Sequence, residues 1–475
     1  MRNLTMLTDL YELTMLSGYH RHQMGDRRAV FYMFYRGGTN LDYAVMAGNA
    51  QFKEYVSDLR FTGEDIDYLR SLGIFEEGFL ESLRDFRFEG NIDIMPEGTL
   101  IFPGEPLVRV EAPLSQAQLI ETTMLNLIGH QTLIATKGNR VARAAQGDKV
   151  MEFGLRRAQG PDAGVLGARA AVIGGCHSTS NVMAGQRFGI PVSGTHAHSW
   201  VMSFESELDA FRAYAEDFPN SCLLLVDTYD TLGSGVPNAI KVFEELRAKG
   251  GKPLGIRLDS GDLAYLSKEA RKMLDAAGFK DAIIVASNDL DEHIIRDLKL
   301  QGARIDLWGV GTKLITSAGR YALGGVYKMS ALEEKGRMVP KMKLSDNPEK
   351  ITLPGAHEVY RLYDPEGMAI ADLITLMDEE IDFTQPLTIF HPKDTWKKMR
   401  LEKYSARKLL APLFRDGKPV GADPSLAEIK AYREKEEASI WEQYLRLVNP
   451  QPYKVDLSDR LWQLQEKMIH GDINP

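Results

Sequence analysis

Between residues 150 and 330 the chain alternates short apolar runs with longer stretches in which apolar residues recur at helical spacing. The runs read as buried strands, the stretches as helices lying over a sheet. Val150-Met151-Glu152-Phe153 is the first such strand, followed by an Ala- and Gly-rich helix over 163–174. Ile190-Pro191-Val192 reads as another buried strand, and an amphipathic helix with Leu208, Phe211, Tyr214 and Phe218 on one stripe follows it. Leu223-Leu224-Leu225-Val226 stops at Asp227, with a helix over 237–248 behind it. Leu254-Gly255-Ile256-Arg257-Leu258 stops at Asp259 before a helix over 262–278. Ile283-Ile284-Val285-Ala286 stops at Ser287-Asn288-Asp289, and Ile305-Asp306-Leu307-Trp308 at Gly309-Val310-Gly311-Thr312. Repeated strand–helix units imply a parallel sheet covered by helices. Strands that all stop at polar or glycine residues predict a βα-barrel with its site on the C-terminal rim, with a doubly wound open sheet as the alternative.

The flanks follow other rules. Asp9-Leu10-Tyr11-Glu12 has the form of a capping box, with Leu13, Met15 and Leu16 facing inward and Tyr11 a candidate core aromatic. Ala29–Tyr35 reads as a buried strand, 100–102 and 107–110 as a hairpin across Pro103-Gly104-Glu105-Pro106, and 116–135 as helix. Past 330, Val359–Tyr363 and Met368–Ala371 flank the turn Asp364-Pro365-Glu366-Gly367 and are expected to rejoin the N-terminal sheet. The charged 425–470 stretch reads as helix with a solvated face. The expected fold is α/β: an irregular βα-barrel over 116–344, an α+β sheet domain over 1–115 completed by 345–400, and a helical C-terminal region over 401–475.

At 475 residues the chain is long enough for two or three domains with sizeable cores. A net charge of -9 argues against nucleic acid or a membrane surface as partner. No apolar run approaches a membrane span, and Asp9 and Glu12 interrupt the apolar residues that a signal peptide would need. Two cysteines, Cys176 and Cys222, form no disulfide framework, which points to a cytoplasmic protein.

Candidate chemistry collects at the strand ends. Gly194-Thr195-His196-Ala197-His198-Ser199 places a histidine pair between hydroxyls, suited to a base or nucleophile, to a zinc pair, or to nothing beyond a loop. Arg156-Arg157 before Gly160 suits an anion, or a surface salt bridge. Phe153 offers a flat face or a core contact. Arg257-Leu258-Asp259-Ser260-Gly261-Asp262, with Asp227 and Asp230, joins a cation to carboxylates able to hold Mg²⁺-phosphate and ribose hydroxyls. Gly309-Val310-Gly311-Thr312 can turn backbone N–H groups toward a phosphate. Together the loops suit a phosphorylated sugar with a divalent ion.

Thr8-Asp9-Leu10-Tyr11, Phe153–Asp162, Thr179-Ser180-Asn181-Val182, Gly194–Ser199, Arg257–Asp262 and Val310-Gly311-Thr312-Lys313-Leu314 give the chain a close resemblance to the nicotinate phosphoribosyltransferase family, type II phosphoribosyltransferases of NAD salvage. The resemblance covers residues 8 to about 315 and little beyond 400. It implies condensation of nicotinate with phosphoribosyl pyrophosphate to nicotinate mononucleotide and pyrophosphate, driven by ATP and assisted by Mg²⁺. It implies phosphorylation of His198, with His198, Arg257 and Asp259 as catalytic residues. Tyr11, Phe153, Thr195 and Arg257 would contact nicotinate, Tyr11 reaching across the interface of a homodimer with shared sites. Arg156, Asp259, Ser287, Asn288, Gly311 and Thr312 would contact the phosphoribosyl group, and Asp227 and Asp259 would serve Mg²⁺. Alternatives are a nicotinamide- or quinolinate-using relative, a zinc-dependent barrel hydrolase on His196 and His198, and a silent barrel that binds such precursors without turnover.

Overall fold

The computed structural model of the chain describes residues 3–38, 41–345, 351–394 and 396–471. The chain divides into two compact units, one of residues 1–133 with 322–475 and one of residues 134–321. The boundaries therefore fall at 133/134 and 321/322, where the sequence suggested 115/116 and 344/345.

The second unit holds a six-stranded, wholly parallel sheet. Its strands run in the order Ser178–Thr179, Lys149–Glu152, Leu307–Val310, Ile283–Ala286, Gly255–Leu258, Leu223–Leu225. Among the described residues no pairing joins the two edge strands. The helices between them start where capping side chains allow. Asn181 accepts from the Ala184 N–H at 3.1 Å, Ser206 from Asp209 at 3.2 Å, and Asp291 from His293 and Ile294 at 3.0 and 2.9 Å. Asp262 caps helix Leu263–Ala276 through Tyr265 N–H at 3.0 Å, and Asp230 bonds Gly233 N–H at 2.9 Å. Both carboxylates, grouped by sequence with the ligand cluster, thus serve local turns.

Several strand expectations move. Pro191 and Val192 are exposed, and Val192 makes only an isolated bridge to Thr179, because a proline cannot donate to a ladder. The last strand is Leu307–Val310, two residues later than 305–308, since Asp306 Oδ2 instead accepts from Ile284 N–H at 2.8 Å. In helix Glu207–Asp217 the buried face is Glu207, Ala210, Phe211 and Ala215, and Phe218 ends the helix half exposed.

The first unit carries three sheets, one of them the two-stranded pair Ala44–Val45 with Leu100–Ile101. A seven-stranded antiparallel sheet runs Arg337–Pro340, Gly325–Glu334, Arg28–Tyr35, Val108–Pro113, Asn91–Ile94, Ala411–Arg415, Lys418–Pro419. Every residue from Ala29 to Tyr35 is buried, as a central strand requires. The segments that return to this sheet are 325–340 and 411–419, not 359–371. Strands His357–Tyr363 and Ala369–Leu376 do pair across Asp364–Gly367, but in a separate six-stranded sheet. That sheet holds fully buried Arg361, paired with Asp372 at 2.7 Å and Glu436 at 2.9 Å. The 100–102/107–110 hairpin does not form: Leu100–Ile101 pairs with Ala44–Val45, and Val108–Pro113 pairs with two other strands. The region from 401 is not simply helical. It contributes strands Ser405–Lys408, Ala411–Arg415 and Val455–Leu457 as well as helices Leu426–Ala438 and Asp459–Ile469. Helix Leu10–Arg21 lacks the expected capping box. Glu12 is buried and accepts from Thr8 and from Thr122, and the Asp9 side chain reaches Thr122. Leu13 and Leu16 face inward and Met15 is half-buried. Among the described residues no helix is long and apolar enough to cross a membrane.

Candidate active site

Parallel strands in register end side by side, so the residues just past 152, 179, 225, 258, 286 and 310 share one edge of the second unit. Arg257 is the hub of that edge. Its Nε donates to Ser287 Oγ at 2.8 Å, Nη1 to Thr195 Oγ1 at 3.2 Å and Nη2 to Asp259 Oδ1 at 2.9 Å. One N–H on each terminal nitrogen remains, donors that a carboxylate can accept. The guanidinium carbon stands 5.6 Å from the centroid of the Phe153 ring.

Phe153 in turn lies against Gly309. A Cβ at 309 would stand 2.7 Å from both Cδ2 and Cε2 of the ring, so only glycine lets the ring take this place. We expect Gly309→Ala to displace the ring and lower stability by about 1–3 kcal/mol. Thermal melts of the variant against the wild type check this.

Asp259 joins two groups. Ser287 Oγ donates to its Oδ1 alongside Arg257, and its Oδ2 lies 3.7 Å from His198 Nε2. Burial alone would raise this carboxyl, but the Ser287 hydrogen bond and the Arg257 guanidinium outweigh burial and hold it below the ordinary range. It is therefore ionised at neutral pH. Asp227 Oδ2 accepts from Asp259 N–H at 2.6 Å and Ser260 Oγ at 2.8 Å, while its Oδ1 is buried with no hydrogen-bond partner among the described residues.

The two histidines part company. His198 opens helix His198–Met202, stays half exposed, and pairs Nδ1 with Thr228 Oγ1 at 3.1 Å. His196 is 7% exposed, lies edge-on to Tyr214 at 4.7 Å, and its Nε2 accepts from Leu225 N–H at 3.3 Å. That bond fixes the proton on Nδ1 and makes the ring a neutral brace for strand Leu223–Leu225. A zinc pair would need both rings turned to one ion, and these are not.

Burial pushes the His196 imidazole down to about 4. Between pH 6.5 and 4 the unfolded chain takes up a proton that the folded one refuses, so stability falls as pH falls through that window. The loss attributable to this ring is about 3 kcal/mol. His357, buried in the first unit and also held at about 4, adds a similar loss. Thermal melts over that window should therefore flatten in part, and only in part, in His196→Gln.

The other expected contacts divide. Arg156 and Arg157 lie exposed on the turn Leu155–Arg157 and have no ion-pair partner among the described residues, so the salt-bridge reading fails. Ser287 is buried and tied to Arg257 and Asp259, which makes it their brace. Asn288 holds φ 125, a strained value for a residue other than glycine. Gly311 precedes the short helix Thr312–Ile315, with Thr312 exposed. Tyr11 belongs to the first unit and is 45% exposed, not a core aromatic. The sequence assigned no role to Thr228 or Glu152, and Thr179 entered only within the stretch Thr179–Val182. For Glu152 the signal was there, an acid inside the apolar run Val150–Phe153.

Comparisons with known proteins give the chain its family. Profiles for the N-terminal domain, the family and the C-terminal domain of nicotinate phosphoribosyltransferase match residues 6–129, 149–369 and 356–465. A nicotinate phosphoribosyltransferase of Bacillus subtilis is 47% identical over 470 residues, covering 98% of this chain and 96% of that protein. The chain belongs to the nicotinate phosphoribosyltransferase family. The human relative is 33% identical over 98% of this chain and 97% of its own length. The crystal structure of human nicotinic acid phosphoribosyltransferase superposes with a TM-score of 0.85 at 31% identity, covering 98% of this chain and all of that one. A nicotinate-nucleotide pyrophosphorylase from Pyrococcus furiosus, 21% identical with a TM-score of 0.69 over 92% of this chain and 95% of its own, shares the fold. The family's architecture is mixed α/β, as both units show.

Proposed function

We propose that the chain condenses nicotinate with 5-phosphoribosyl 1-pyrophosphate to nicotinate mononucleotide and pyrophosphate, in NAD salvage, coupled to ATP hydrolysis through a phosphorylated His198. The supporting observation is Arg257, braced by Thr195, Ser287 and Asp259 and standing beside the face of Phe153. A pyridine stacked on that ring brings a 3-carboxylate within reach of the two free N–H groups. Nicotinamide, lacking the charge, forfeits that pairing. The second unit is read as an irregular βα-barrel, which accounts for six parallel strands ending at one edge.

The pyridine nitrogen attacks the anomeric carbon with its own lone pair, the bond to pyrophosphate breaks, and the electron pair leaves with that anion. No base is required. The Asp227 and Asp259 carboxylates favour the positive charge that builds on the ribose, and Arg156 and Arg157 face the anions. Asp227 Oδ1, an acceptor without a partner among the described residues, suits Mg²⁺, whereas Asp259 has one oxygen already engaged by Arg257 and Ser287. When bound, Mg²⁺ would supply charge neutralisation for the leaving pyrophosphate. At His198, Thr228 holds Nδ1 and leaves Nε2 on the Asp259 side. A ring nitrogen attacks the terminal phosphorus of ATP and ADP departs. The phosphoryl group adds about two negative charges beside Asp259, which changes how the site holds its anionic ligands. Tyr11, exposed on helix Leu10–Arg21, would complete the pyridine site of a second copy in a homodimer. Cys176 and Cys222 are buried and form no disulfide.

A competition assay tests the substrate. With labelled nicotinate, phosphoribosyl pyrophosphate and Mg²⁺, a tenfold excess of nicotinamide or quinolinate should leave mononucleotide formation nearly unchanged. Strong competition by either assigns the site to that acid or amide instead.

A further inference from the structure

Glu152 takes no part in the chemistry above, yet its carboxyl is fully buried at the end of the strand that leads into Phe153. No cation pairs with it among the described residues. Its Oε1 accepts the backbone N–H of Gly154, and its Oε2 accepts the Thr179 hydroxyl at 2.5 Å. Thr179 Oγ1 accepts from Asn181 N–H at 3.0 Å, and Asn181 donates to Gly164 O at 3.1 Å while capping the next helix. Burial pushes the Glu152 carboxyl up, so an apolar residue of the same size would remove a penalty. A group kept at such a cost is doing something that its neighbours cannot. Gly154 is pinned from the other side as well, because a Cβ there would stand 2.4 Å from Ile315 Cβ and 2.6 Å from its Cγ2. The turn at Gly154 separates Phe153 from the exposed arginines of Leu155–Arg157.

We infer that Glu152 is a positioning residue: through the Gly154 N–H it sets both the Phe153 ring against Gly309 and the turn that presents Arg156 and Arg157. The inference rests on the reading of Phe153 and Arg156 as substrate contacts. Acceptor geometry carries the effect, not charge. Glutamine keeps an oxygen for Gly154 and can donate to Thr179 Oγ1; leucine keeps neither. Thr179→Val frees the second oxygen alone.

The wild type, Glu152→Gln, Glu152→Leu and Thr179→Val are compared by two measurements. Deuterium exchange over residues 153–158, without substrates, should be slow in the wild type and in Glu152→Gln, and faster by about tenfold in Glu152→Leu. Binding of nicotinate and of phosphoribosyl pyrophosphate by calorimetry should weaken about tenfold for both in Glu152→Leu and about threefold or less in Glu152→Gln, with kcat within about threefold throughout. Thr179→Val should move both readouts the same way by less, and it decides the matter if Glu152→Leu does not fold. Unchanged exchange overturns the inference. So does a large fall in kcat with unaltered binding, which would put Glu152 in the chemistry. Should the wild type bind neither substrate while exchange follows the expected order, the tether stands and the substrate reading fails.

Discussion

Arg257→Gln lowers kcat/KM for nicotinate about 100-fold, roughly 2.7 kcal/mol, and leaves the KM for phosphoribosyl pyrophosphate within about fivefold. The residue holds three partners at once, and its loss removes the donors to the carboxylate while leaving Asp259 without its cation. Arg257→Lys should fare nearly as badly, because a compact ammonium cannot hold Ser287, Thr195 and Asp259 and still present two donors. Discrimination should collapse as well. The ratio of nicotinate to nicotinamide turnover falls toward one in Arg257→Gln, since the variant no longer distinguishes a charge from an amide. Initial rates with each pyridine check both statements. A variant that kept its preference for the acid would show that the carboxylate is read elsewhere.

His198→Ala abolishes phosphate uptake from γ-labelled ATP and with it the stimulation of condensation by ATP, an effect limited only by the detection floor. Condensation without ATP persists, because the arginine, the ring and the carboxylates are untouched. His196→Gln is the control: it keeps phosphate uptake and loses thermal stability, as expected of a buried ring that braces Leu225. Acid-labile label on the intact protein, measured with melting curves, separates the two roles. Equal loss of label in both variants would contradict the assignment.

The alternation of apolar runs made the second unit legible, because parallel strands covered on both faces must be apolar throughout and must stop where polar residues reach the rim. Arg257 and Asp259 stood at such a stop. The two histidines could not be told apart by spacing, since their difference lies in long-range partners: Leu225 N–H for one, Thr228 and Asp259 for the other. Asp230 and Asp262 looked like ligands because caps and ligands both favour aspartate at strand ends. Leu100–Phe102 and Leu107–Val110 looked like a hairpin because turn residues lie between them, yet strands Leu100–Ile101 and Val108–Pro113 each pair with strands far along the chain. Proline spoiled Ile190–Val192 as a strand for a local reason that the sequence did contain.

The most direct test is to mix the protein with radiolabelled nicotinate, phosphoribosyl pyrophosphate and Mg²⁺, with and without ATP, and to separate the products. The account predicts label in nicotinate mononucleotide, formed faster or further with ATP present. Binding of nicotinate without any mononucleotide under either condition would contradict it.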